Sequence, residues 1–378
     1  MFHNKGLKAL CLALPMALAI GGAAQAGSQL KGSNWLSPKH PTSKGYESFA
    51  NTVKTESNGA LSFRVFTGGA LLGAKATLDG VKDGVADMGH IVYTYTPASF
   101  PHGVFLADLA MVGPNQMAAS AALTELQALQ CPGCQDDFKN TNTVFLGSYS
   151  TPSYVLIGNG EFNSPEGLKG KKMRSGGNLW DRWAHAVGGV PVNVPSSDIR
   201  EGLSRGQLDI AIYAVGGLKT HSLADVADHV VMLPVGAFRA DSVFAFNRGT
   251  WKGLSKENRE ILLKAAATAI VDTNIAYAKG DEDGLALAKK KGIKVEQPSP
   301  ALMKVHEEFI ENDLKQTLPK AKKEYGIADP QAVVDTYKQL YAKYDKLVAA
   351  ADGDHDKLVQ MFWDNIFSKL DPASYGMN

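Results

Sequence analysis

The sequence predicts an α/β protein of two lobes joined by crossing strands, followed by a helical C-terminal region. Three observations carry that expectation. About 350 residues remain beyond an N-terminal leader, more than one hydrophobic core usually organises. A strand–helix–strand–helix–strand pattern occupies the first third and restarts near Ser153, which implies parallel sheet with right-handed crossovers. From Lys256 onward, strands give way to amphipathic helix whose charged faces read as solvated surface.

The leader is an address rather than a fold. Lys5 and Lys8 precede an apolar run from Ala9 to Ile20, and small residues end at Ala24-Gln25-Ala26. Cleavage after Ala26 and export to the periplasm are expected. The run is short for a bilayer span, and nothing later offers about 20 consecutive apolar residues. Cys11 lies before the apolar core ends and follows Leu10, so no lipid anchor is expected. Without Lys5 and Lys8 the 39 basic residues become 37 against 38 acidic ones, a net charge of −1, which argues against a nucleic-acid partner. With 44% apolar and 20% charged residues, both lobes can bury cores.

In order, Gln29 to Trp35 reads as strand and Thr42 to Ser57 as helix, with Tyr46, Phe49 and Val53 on one face and Asn58-Gly59 closing it. Leu61 to Phe66 alternates as strand. A glycine-rich bend at Gly68, Gly69 and Gly73 leads to a helix carrying Leu78, Val81 and Val85, and Asp87 to Val92 returns as strand. That bend lacks the spacing and lysine of a phosphate loop and reads as a turn. An alanine-rich helix from Gln116 to Gln130 ends in Cys131-Pro-Gly-Cys134, read as a small disulfide staple in a helix-terminating loop.

The second half gives strands at Ser153–Ile157, Lys171–Arg174, Val190–Val194 and Leu208–Tyr213, with helices at Leu179–Val187 and Ser196–Arg205. Ser242 to Asn247 is a strand crossing back. The expected division is 27–152 with about 242–290 in one lobe and 153–241 with about 291–320 in the other, with 321–378 as helices packed on both. Ligands of such sheets bind at strand carboxyl ends. No nucleophile elbow, zinc-protease helix or paired-carboxylate site is present in the sequence, and the nine histidines are scattered without ligand spacing. No enzyme activity, cofactor or metal is expected, and the chain is expected to be a monomer.

Three segments, in order, are similar to the dicarboxylate-type solute-binding proteins of tripartite ATP-independent periplasmic (TRAP) transporters. They are Gly69-Ala-Leu-Leu-Gly73 with Leu78 to Met88, Ser164-Pro-Glu-Gly-Leu-Lys-Gly-Lys-Lys-Met-Arg174, and Leu203-Ser-Arg-Gly-Gln-Leu-Asp209. Trp251 to Arg259 also resembles a family segment. Gly167 stands where the family carries an acid and Ile210 where it carries glycine.

The resemblance implies a two-lobed periplasmic binding-protein fold, a small organic acid as ligand, and small and large membrane subunits as partners. It also implies that Arg174 grips the ligand carboxylate with both terminal nitrogens, a geometry suited to guanidinium. Many relatives carry a second arginine and an asparagine where this chain has Tyr154 and Tyr213, so one carboxylate rather than two is expected. Asn34, Trp35, Tyr93, Tyr95 and Trp180 complete the expected site, and their aromatic character points to a ring-bearing monocarboxylate. A short hydroxy- or keto-acid held with a metal ion is the alternative ligand, and an extracytoplasmic enzyme or sensor component the alternative role.

Overall fold

A computed structural model describes residues 1–3 and 28–378. The leader, its cleavage point and Cys11 lie outside the described residues. Among the described residues the strands are β1 (Ser28–Ser33), β2 (Leu61–Phe66), β3 (Met88–Val92), β4 (Thr143–Phe145), β5 (Val155–Gly158), β6 (Lys172–Ser175), β7 (Val190–Asn193), β8 (Ile210–Tyr213), β9 (His229–Val231), β10 (Asp241–Asn247) and β11 (Lys294–Glu296). They form two sheets, ordered β2-β1-β3-β10-β4 and β11-β9-β5-β8-β6-β7.

Each sheet is parallel at its core, as the repeated pattern predicts, but each also holds strands of opposite sense. β10 runs antiparallel between β3 and β4, and β5 runs antiparallel between β8 and β9. These strands follow the two places where the chain crosses between sheets. The crossing segments pair with one another: Thr151 N–H donates to Phe238 O at 2.9 Å, Tyr154 N–H to Gly236 O at 2.7 Å, and Val235 N–H to Tyr154 O at 3.0 Å. Two hydrogen-bonded ribbons therefore connect the sheets.

A third connection is the helix Lys256–Lys291, capped by Ser255 and ended by Gly292 in the left-handed region, φ 69°. At 1.5 Å per residue it is about 54 Å long. It packs on the helix Pro41–Glu56 beside the first sheet and on Gly217–Thr220 beside the second. Close approach to the second sheet depends on glycine: a Cβ on Gly284 would lie 2.4 Å from Val215 O, and one on Gly216 would lie 2.9 Å from the Gly280 carbonyl carbon. Its most apolar stretch could cross a membrane by length and composition, but 61% of that stretch is buried inside the fold. The helices Pro300–Glu324, Pro330–Ala351 and His355–Asn365 finish the chain.

Some local expectations need correction. The helix after the glycine bend stops at Lys82, and Val85 is exposed, because Gly84 takes φ 76° and turns the chain into β3. The segment Ser196–Arg205 is a 3₁₀ turn, Ser196–Asp198, before a short α-helix, Ile199–Ser204. The helix Gln116–Glu125 continues as a π turn, Leu126–Gln130. Cys131 then caps a new helix, Pro132–Asn140, its sulfur accepting from Cys134 N–H at 3.1 Å. The disulfide Cys131–Cys134 is formed, with Cα atoms 5.2 Å apart. The pair thus opens a helix rather than sitting in a loop, since proline at the first helical position favours a start.

Candidate functional site

The carboxyl ends of β1, β3, β6 and β8 converge between the two sheets, and β5, running the opposite way, begins at the same edge. Register fixes what stands there: Arg174 on β6 pairs with Ala211 on β8, and Tyr213, the last residue of β8, pairs with Val155, next to Tyr154. Trp35 follows β1 and Tyr95 follows β3 across the gap. The rings enclose a cavity of about 10 Å³ that Arg174 also lines. That is room for one water-sized sphere, far below the several hundred Å³ of ordinary ligand pockets.

Arg174 is 2% exposed. Its Nε donates to Val194 O at 3.1 Å, Nη1 to Ile212 O at 3.2 Å and Nη2 to Tyr95 Oη at 3.4 Å. Its guanidinium also lies over the Tyr213 ring, 5.6 Å from the centroid. A guanidinium carries five N–H groups; the Tyr154 hydroxyl stands close enough to take a fourth, and at least one is left over. Among the described residues no carboxylate lies within salt-bridge distance of it, although a buried cation without a counter-charge is costly. The neighbouring hydroxyls are neutral: burial pushes the Tyr154 and Tyr213 phenols up, and the nearby Arg174 offsets this only in part.

The rings are layered. Tyr154 lies tilted against Trp180, centroids 5.2 Å apart, and almost parallel to Phe238 at 6.4 Å and 11°. Tyr149 stacks on Tyr277 at 5.0 Å, and Trp35 on His90 at 5.4 Å. Beneath Trp35, His90 Nε2 meets Asp241 Oδ2 at 3.1 Å, both fully buried.

Of the residues expected from the sequence, Arg174, Tyr154, Tyr213, Trp35 and Tyr95 line the cavity. Three do not. Tyr93 points into the first lobe's core, where its hydroxyl donates to Gln127 Oε1 at 2.7 Å and its ring packs on Phe100. The strand period would have put Tyr93 and Tyr95 on one side, but Tyr93–Tyr95 is a 3₁₀ turn, and at three residues per turn they diverge. Asn34 is fully buried and spends its amide on Thr42 Oγ1 and Ser43 Oγ, at 3.1 and 2.9 Å, holding the start of the helix Pro41–Glu56. Trp180 stands behind Tyr154, its Nε1 donating to Val235 O at 2.7 Å.

The sequence reading missed Tyr149, Phe238 and Tyr277, which also line the cavity. Tyr149 and Phe238 lie on the crossing segments, and aromatic residues there were the available signal. Tyr277 comes from the long helix and carried none.

Apart from this site, Glu161, His229 and Glu296 gather at the outer edge of the second sheet. Lys294 supplies the positive charge among them, 3.0 Å from Glu161 Oε2 and 3.2 Å from Glu296 Oε1.

Two sheets joined by crossing ribbons, with a buried arginine facing a ring-lined gap, define a two-lobed solute-binding protein. Residues 32–320 match the family model of bacterial extracellular solute-binding proteins, family 7. The chain belongs to that family. A solute-binding protein of Albidiferax ferrireducens is 24% identical over 263 residues, covering 68% of this chain and 75% of the relative. Among solved structures, a TRAP solute-binding protein from Rhodoferax ferrireducens in complex with copurified benzoate has a TM-score of 0.75 at 21% identity, covering 85% of this chain and 99% of that one. A marine-metagenome TRAP protein specific for aromatic acid ligands, in complex with metahydroxyphenylacetate, has a TM-score of 0.73 at 22% identity, covering 84% and 99%. One from Bordetella bronchiseptica with bound mandelate has a TM-score of 0.70 at 21% identity, covering 84% and 99%.

Proposed function

We propose that the protein captures an aromatic monocarboxylate between its lobes, with Arg174 as the carboxylate grip, and delivers it to the membrane subunits of a TRAP transporter. The observation that carries the reading is the buried Arg174 guanidinium, with N–H capacity unspent and no acid beside it. The aromatic lining supports a ring-bearing ligand: Trp35, Tyr95, Tyr154, Tyr213 and Phe238 offer flat apolar faces with few polar edges. Fold relatives that hold benzoate, mandelate and a hydroxyphenylacetate point the same way. A metal-assisted short acid has less support, because the lining includes no carboxylate to hold a hard cation.

The 10 Å³ cavity is too small for a benzene ring, so entry requires the lobes to part about the paired ribbons. The lobes are proposed as 27–152 with about 242–290, and 153–241 with about 291–320. Thermal-shift measurement against a panel of carboxylic acids, with and without divalent metal, tests the reading, because a binder is stabilised according to ligand concentration over its Kd. Stabilisation by benzoate-like acids independent of metal is the expected result. Stabilisation only by dicarboxylates, or only with metal, would overturn it.

A further inference from the structure

Behind the cavity a hydrogen-bond chain has a direction, and it begins at a backbone N–H. Leu36 N–H donates to Asn34 Oδ1 at 3.3 Å, which orients the Asn34 amide so that Nδ2 donates to Thr42 Oγ1 at 3.1 Å. Thr42 then faces His40 twice: its backbone N–H donates to Nδ1 at 3.3 Å, and its hydroxyl lies 2.9 Å from the same nitrogen. A backbone N–H can only donate, so Nδ1 is the unprotonated nitrogen and the neutral ring carries its proton on Nε2. Burial and the neighbouring His221 and His90 push the His40 pKa down and keep the ring neutral.

His40 Nε2–H faces two phenol oxygens, Tyr213 Oη at 3.3 Å and Tyr277 Oη at 3.4 Å. Tyr277 in turn donates to Tyr149 Oη at 3.2 Å. Tyr213 and Tyr149 therefore accept from behind and keep their own protons for the cavity that both rings line. Tyr95 is placed likewise, since its oxygen accepts from Arg174 Nη2 at 3.4 Å and from Ser196 N–H at 3.1 Å, both obligate donors.

The carbonyl and carboxylate acceptors close by are already engaged, which leaves hydroxyl oxygens, Tyr154 and Ser196 among them, as the lining groups that can still accept. Val194 O and Ile212 O take Arg174, His90 O takes the Trp35 indole at 3.1 Å, and Asp241 is held by His90 and by Ser148 Oγ at 2.7 Å.

We infer that the cavity is a donor-rich cage whose Tyr213 and Tyr149 protons are aimed inward by His40, so that it selects acids whose remaining polar groups accept hydrogen bonds over acids bearing an ammonium group. The inference deepens the proposed function and rests on Arg174 gripping a carboxylate there. His40 is a positioning residue in this account, acting through Tyr213, Tyr277 and Tyr149. A carboxylate and a keto oxygen find donors, as they require. An ammonium group would be buried against Arg174 and three hydroxyl protons, with hydroxyl oxygens but no carboxylate in the lining to accept from it.

The test uses one carbon skeleton with three α-groups: phenylglyoxylate, mandelate and phenylglycine, measured by calorimetry beside benzoate. Wild-type protein is expected to bind phenylglyoxylate about 100-fold or more tightly than phenylglycine, with mandelate between. His40→Phe keeps the volume but removes both nitrogens, and should narrow that ratio to within about tenfold. His40→Gln still accepts from Thr42 and donates to the tyrosines, and should restore most of it. If wild-type protein binds benzoate but ranks phenylglycine with phenylglyoxylate, or if the ratio is unchanged in a folded His40→Phe variant, the cage is refuted while the aromatic-acid reading stands. If neither benzoate nor any of the three acids binds, the aromatic-acid reading itself fails and the cage with it. Should His40→Phe not fold, the ¹⁵N shifts of the His40 ring in wild-type protein decide. A pyrrole-type Nε2 is expected, and a pyridine-type Nε2 overturns the inference.

Discussion

Arg174 and Arg239 are both buried arginines beside cavities, and they differ in what remains of their donors. Arg239 is 1% exposed and spends its guanidinium completely: Nε on Ala237 O, Nη1 on Val112 O and Tyr337 Oη, and Nη2 on Ala110 O and Gly113 O. It borders a much larger cavity of about 350 Å³, shared with Pro234 and Met303. Arg174 faces about 10 Å³, donates to Val194 O, Ile212 O and Tyr95 Oη with Tyr154 beside it, and does not fill its fork. Neither burial nor cavity size separates the two arginines; unspent donors do. Arg239 ties the segment Ala110–Gly113 and the Tyr337 side chain to its own segment, whereas Arg174 is held in place with part of its fork still available.

The largest expected effect tests that contrast directly. Arg174→Ala should weaken the preferred acid by about 100-fold or more while leaving the fold intact, because it removes one member of a buried charge pair. Arg174→Lys keeps charge without the planar fork and should lose on the order of 30-fold. Calorimetry on folded protein within threefold of wild type for the alanine variant would make Arg174 structural, and the contrast would collapse.

Arg239→Ala should act in the opposite way. It leaves backbone carbonyls unpaired in the interior, so unfolding should require about 2 to 5 kcal/mol less free energy, while molecules that remain folded bind the acid at near wild-type affinity. Denaturant midpoints and calorimetry on the same preparation separate the two. A stable Arg239→Ala protein that no longer binds would reassign Arg239 to the ligand.

A pH series sharpens the comparison at the second sheet. His221 stacks edge-on to Tyr213, centroids 4.9 Å apart, and burial followed by the charge of Arg174 lowers its pKa to about 4. The unfolded chain binds this proton below its ordinary value, the folded chain only near 4, so stability should fall as pH drops from about 6.5 toward 4. Across that window the loss is on the order of 3 kcal/mol. His221→Gln should flatten that part of the profile. An unchanged slope would mean that other groups dominate it.

Smaller effects remain. The lobes must part from this closed arrangement to hold a ring-bearing acid, so the radius of gyration of the acid-saturated protein should lie at or slightly above that of this structure, and solution scattering would show it. The smallest effect is expected at Cys131 and Cys134: a loop this short removes little chain entropy, so the double serine variant should bind within tenfold of wild type. A larger loss with the fold intact would tie the helix start to the site.

What could be read along the chain follows from local periodicity. Alternation at Leu61–Phe66, the helical spacing of Tyr46, Phe49 and Val53, and the restart after Ser153 each depend on neighbours in sequence, and each appears in the structure. Arg174, Tyr154 and Tyr213 were legible because strand ends meet at one edge and because family-like segments mark where those ends fall. The sequence could not show that Tyr93 and Tyr95 part company, since a 3₁₀ turn and a strand end share the same residue types.

Nor could it show that Asn34, expected at the ligand, instead begins the hydrogen-bond chain behind it. Tyr277 reaches the cavity only because the helix Lys256–Lys291 packs on elements beside both sheets, through contacts far outside any local sequence window. Whether a buried arginine is spent or available is likewise a count of partners from distant segments. That count is a property of tertiary structure, because backbone carbonyls of any sequence can supply it.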